Sequence, residues 1–270
     1  MIPILVATGV ATTVYDLWKA DKYEKQARSV NYEAFSTVES AARELRVQYE
    51  RTEQIMLKLA NRKRGIMSGS LPKFLEVYRK IIKIDFQDVE KVDESAILVL
   101  QEDSIRDINQ MISVSGVSMS DKEIIGTYLF SLKYGGVSGA IKKDAKINLD
   151  VAYTRSDEAD VIASQTRTAR IALEGIEGKA DAFLKLLAQV NPFFLKSIQH
   201  TEEIIESNGF NRMNYTVDDK KALMNCINFA KAVKDILEAP LFDADGKVSQ
   251  QVGHALSAGD EYLKKLQRVS

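Results

Sequence analysis

The chain carries little that would interrupt a helix. It has four prolines and fourteen glycines in 270 residues, and long stretches hold neither, which argues against a turn-rich β fold. A single cysteine, Cys226, excludes an internal disulfide and fits a reducing compartment. Two histidines, His200 and His254, lie far apart and with one cysteine make no zinc signature. A formal net charge of −1 provides no global field toward DNA or a membrane, so any such attraction must be local. The uncharged N-terminal run ends at Asp16, short of the roughly 20 apolar residues of a spanning helix. It also lacks the basic leader and cleavage site of a secretory signal. It reads as a helix start packed in the core or on a partner, as an interfacial segment, or as a disordered tail.

What the chain has instead is helical periodicity. It is 45% apolar and 28% charged, an ordinary globular balance. From Val10 to about Arg64 there is no proline or glycine. Ala27, Val30, Ala34, then Val38, Ala41, Leu45, then Tyr49, Thr52, Met56 recur every eleven residues, one stripe on a nearly straight helix. At 1.5 Å per residue this helix would span about 80 Å, so it must lie along a partner helix. "GIMSGSLP" is expected to break it, with a short helix beginning at Pro72 and another over about 94–112. Ser120 and Glu123 form a capping-box start for a helix ending near Tyr134, where Gly135 and Gly136 permit a terminus.

A second long helix is predicted over 138–190. Ile141, Asn148, Arg155, Ile162, Ala169, Ile176, Phe183 and Val190 are seven apart, interleaved with Ala145, Ala152, Ala159, Thr166, Leu173, Ala180 and Leu187. Further helices are expected from Pro192 to about Gly209, from a Thr216–Asp219 cap to Pro240, and, broken by Gly253 and Gly259, over 248–266. The expected fold is therefore all-α: one elongated helical bundle built on two long helices (about 10–64 and 138–190). A short-helix region (70–134) and C-terminal helices (192–268) complete this single domain.

Catalytic motifs are not evident. "GVSGA" lacks the lysine-serine of a phosphate loop, and no nucleophile signature surrounds any serine or histidine. "FDADGKV" starts like a calcium loop, but its glycine comes too early and His254 stands where the closing glutamate belongs. "DEAD" at 157–160 falls inside the heptad helix without a phosphate loop. Cys226, among Leu223, Phe229 and Ala230, reads as a packed thiol. No cofactor, metal or small-molecule substrate is expected.

Charge distribution is more informative. Lys58, Arg62, Lys63, Arg64, Lys73, Arg79, Lys80 and Lys83 are opposed only by Glu76, and Lys142, Lys143 and Lys146 form a smaller cluster. These read either as a solvated face or as a cationic knob for anionic headgroups or acidic protein surfaces. A near-neutral chain disfavours nucleic acid. Between Ile124 and Ile141 the only charge is Lys133. Leu129, Phe130, Tyr134, Gly135 and Gly136 read either as a helix end and the next helix's start, or as an apolar tip able to enter a bilayer.

"LPKFLEVYRKIIKIDFQDVEKVDE", the long Ala-rich helix and "YTVDDKKALMNCINFAKAVKDILEAPLFDADGKV" resemble a family of bacterial helical proteins sometimes loosely labelled chemotaxis proteins. In that family a longer Gly/Ala-rich apolar segment stands about where "FSLKYGGVSGA" lies here. The resemblance implies membrane association and brings no catalytic residues. The expected function is a non-enzymatic interaction or scaffold protein, in a protein assembly or at a membrane surface. The alternative is an α-helical pore-forming or membrane-remodelling effector, soluble before insertion. The expected partners are a protein or a second copy, or an anionic membrane. The expected location is the cytoplasm, peripheral at the inner face of the membrane.

Overall fold

The structure, a computed structural model, describes residues 32–84, 100–129, 156–243 and 248–267. It is all-α, organised on two long helices. The elements are α1 (Tyr32–Ile81), α2 (Glu102–Ser115), α3 (Asp121–Leu129), α4 (Ser156–Asn208), α5 (Val217–Glu238) and α6 (Gln251–Gln267), with a 3-10 turn at Arg212–Asn214. Among the described residues the only extended pairing is an isolated bridge between Phe242 and Val248.

α1 and α4 form the frame, and they run parallel. Arg170 faces Glu44 at 3.7 Å, the Thr52 hydroxyl reaches the Leu173 carbonyl at 3.3 Å, and the Ser70 hydroxyl donates to Asn191 at 2.6 Å. Lys80 pairs with Glu202. Across these four contacts the partner number rises with the residue number from one end of α1 to the other, as in a parallel pair. The eleven-residue rhythm expected from sequence is present: Ala41, Thr52, Lys63 and Phe74 are buried, as are Leu45, Met56, Met67 and Tyr78. On α4 the seven-residue set Thr166, Leu173, Ala180, Leu187, Phe194 and Thr201 is buried throughout.

Two expected boundaries are absent. α1 continues through "GIMSGSLP" to Ile81, and α4 continues through Pro192 to Asn208. An internal proline costs about 3 kcal/mol. Against it stand Leu71, Phe74, Val190 and Phe194, all buried and each contributing roughly 1.5–3 kcal/mol. The carbonyls that lose their helical partners belong to Ser68 and Ala188, both exposed residues, where solvent is at hand to take the lost bonds. Four buried side chains outweigh two prolines whose orphaned groups face solvent. α6 likewise runs unbroken through Gly253 and Gly259. Gly259 has a packing reason: a Cβ there would stand 2.5 Å from Leu186 on α4.

The shorter helices cover this frame. α2 runs antiparallel along α1, with the Leu100 amide donating to the Tyr78 hydroxyl at 2.9 Å and Arg64 reaching the Ser115 carbonyl. α5 runs antiparallel along α4, and the Phe194 ring is stacked at 6.0 Å from Phe229. One hydrophobic core draws on all six helices. The expected helix 94–112 is described only from Glu102. The stretches 10–31 and 138–155 of the two long helices lie outside the described residues.

Candidate functional site

The basic residues of α1 do not form one surface. Lys63 is 1% exposed and points into the bundle. Its Nζ donates to the carbonyls of Ala239 (2.7 Å) and Leu237 (3.1 Å), at the C-terminal end of α5, and lies 5.2 Å from the Phe183 ring centroid on α4. Burial pushes its pKa down to about 7. Arg64 likewise serves a helix end. Its Nε donates to the Ser115 carbonyl at 3.0 Å and its Nη2 to the Val117 carbonyl at 2.8 Å, closing α2. Successive basic residues on α1 thus satisfy the last carbonyls of two other helices, where the helix dipole favours positive charge. The expected cationic knob is corrected here for Lys63, which is enclosed because its position on the eleven-residue stripe faces inward.

The remaining cluster members separate too. Lys80 pairs with Glu202, and the Lys83 ammonium lies 5.8 Å over the Phe210 ring. Arg62, Lys73 and Arg79 are exposed. Lys142 and Lys143, with Phe130, Tyr134, Gly135 and Gly136 of the expected apolar tip, lie outside the described residues. Leu129 is described and is not a tip. It is fully buried, and its carbonyl accepts from the amides of Leu241 (2.8 Å) and Phe242 (3.1 Å). Cys226 is buried as expected, and burial raises its pKa.

Sequence reasoning missed the strongest surface feature. Where α4 gives way to α5, Phe210 is 53% exposed, Met213 81% and Val217 62%. Ile82, 56% exposed, follows α1 at the same end, as the Lys83–Phe210 contact requires. The loop that carries them is tightly built. Gly209 adopts φ 65°, the left-handed turn that ends α4, and its carbonyl accepts from the Tyr215 hydroxyl at 2.6 Å. Asn214 donates to the Asn208 carbonyl at 2.7 Å, and the Asn211 side chain accepts from the Met213 amide at 3.1 Å. Thr216 and Asp219 complete a capping box on α5. The amides of Met213, Asn214, Tyr215 and Thr216 are bonded locally while the apolar side chains face water. The signal was available in "NGFNRMNYTV", where Phe210 and Met213 fall in a polar turn that owes nothing to helical periodicity.

The charges around this end are of both signs. Arg79, Lys83 and Arg212 stand on one side of the count, and Glu206, Asp218 and Asp219 on the other. Among the described residues no group of histidine, cysteine and carboxylate side chains is placed to hold a metal, and no helix is long and apolar enough to cross a membrane. Comparison with protein-family models, with curated proteins and with solved structures gives no match.

Proposed function

We propose that this chain is a non-enzymatic interaction protein and that it engages a protein assembly through the end of the bundle formed by Ile82, Phe210, Met213 and Val217. The carrying observation is that Phe210 and Met213 on a loop held by its own hydrogen bonds, Val217 at the start of α5 and Ile82 just after α1 are all exposed at one end of the bundle. Exposed apolar groups gathered at one place mark contact sites, and a loop ordered beforehand loses little entropy on binding. The mixed charge around the patch favours a protein surface over an anionic bilayer, which selects a single positive sign.

A photo-crosslinking residue in place of Met213 tests this in the source cell. The expected product is a discrete protein adduct, lost when Phe210 and Val217 are changed to serine. The same crosslinker in place of Lys185, on the exposed flank of α4, should give none. Adducts with lipid alone, or identical adducts from both positions, would overturn the reading.

A further inference from the structure

We propose that Lys63 is a pH-sensitive latch that holds the exit of α5, and through it the end of α3, against α1, and that loosens on acidification. The geometry begins with the amine. It stands between three elements and bonds two carbonyls, those of Leu237 and Ala239. Directly beyond Ala239, the amides of Leu241 and Phe242 both donate to the Leu129 carbonyl that ends α3. The Leu241 carbonyl then accepts from Ser249 at 3.0 Å, just before α6. One buried nitrogen therefore anchors the segment on which α3, α5 and the start of α6 converge.

The chemistry of the anchor sets its response to protons. A neutral amine carries two hydrogens, one for each carbonyl. A third proton brings a full charge into a site closed to water, and that loss of hydration outweighs what the two carbonyls, the end of α5 and the Phe183 face return to the ammonium. The charged groups on the surrounding elements do not relieve it. Lys234, the other buried lysine of this region, holds Asp107 of α2 at 3.1 Å and Glu238 of α5 at 2.9 Å. Burial works against the Lys234 ammonium, yet those two carboxylates outweigh it and its pKa is raised. On α1, Arg64 is directed to the end of α2 and Arg62 is exposed. On α4, Asp181 pairs with Lys185, and Lys179 is exposed. Burial alone sets the shift of Lys63, so no partner charge compensates its protonation. Of two buried lysines at the end of one helix, one is given carboxylates and remains charged, while the other is given carbonyls only.

Amide hydrogen exchange at Leu241 and Phe242 reads the latch directly. After correction for intrinsic rates, protection should fall about tenfold between pH 8 and pH 6 in the full chain. In Lys63→Met, which keeps the bulk and cannot titrate, protection should be independent of pH over that range. Equal pH dependence in both proteins, or none in the wild type, would overturn the proposal. Where Lys63→Met does not fold, the carbon-13 shift of Lys63 Cε in the wild type decides. A midpoint near 7 supports the latch, and one above about 9 removes it.

Discussion

Lys63 Nζ stands 2.7 Å from the carbonyl oxygen of Ala239, a residue 176 positions further along the chain. This bond carries a prediction for global stability. The folded-state pKa is lowered from 10.5 to about 7, so between these values the unfolded chain binds the extra proton. Stability therefore rises with pH across this window, and the gain is lost as pH falls through 7. At 1.36 kcal/mol per pKa unit the ceiling is about 5 kcal/mol, less whatever the carbonyls and ring return to the ammonium. Cys226, Tyr128 and Tyr215, which are buried, and the half-buried Tyr49, all raised by burial, add an opposite slope common to wild type and variant. Urea unfolding of wild type and Lys63→Met from pH 6.5 to 9 should show the difference between the two growing in favour of wild type as pH rises. A constant difference would contradict the assignment.

The glycines divide by environment. At Gly259 a methyl group would press on the end of the buried Leu186 side chain, which must change rotamer to admit it, so Gly259→Ala should cost up to about 1–3 kcal/mol. At Gly175, Gly178 and Gly253 nothing lies within 4 Å of the Cβ position. Alanine there should stabilise by up to about 1 kcal/mol each, since glycine costs that much inside a helix. Thermal melts of the four single variants check the opposite signs.

Phe194 stands between Phe74 of α1, 5.9 Å away, and Phe229 of α5, 6.0 Å away. It is wholly buried where α1, α4 and α5 meet. Phe194→Ala should destabilise by about 3–5 kcal/mol. The effect should appear as a shifted denaturation midpoint at an unchanged slope, since the fold it weakens is one cooperative core.

Helix α5 begins with a reciprocal cap. The Thr216 hydroxyl accepts from the Asp219 amide at 3.2 Å, and the Thr216 amide donates to the Asp219 carboxylate at 2.9 Å. Thr216→Ala should cost about 0.5–2 kcal/mol. The Thr216 bonds hold the Asp219 pKa below the usual carboxylate range. The contribution of Asp219 is therefore present above about pH 4 and lost as pH falls through its lowered value. Asp219→Asn should flatten the acid side of the stability profile, read by circular dichroism at the helix band.

The chain by itself determined the fold class, the two long helices and the period of each buried stripe. Ala41, Leu45, Thr52 and Met56, and the set from Thr166 to Leu187, are buried as their spacing requires, because periodicity is a local property of the polypeptide. The Thr216–Asp219 cap was legible for the same reason. Tertiary structure decided the rest. It carried α1 past Pro72 and α4 past Pro192, because side chains distant in sequence bury the flanking residues and outweigh a local helix breaker. It turned Lys63 and Arg64 inward onto helix ends that lie 51 to 176 residues away in the chain. It left Phe210 and Met213 outside. A run of charges records only that lysines and arginines are near one another. Whether each meets water, a carboxylate or a buried carbonyl depends on elements the local sequence does not contain, since desolvation is fixed by what packs above a residue.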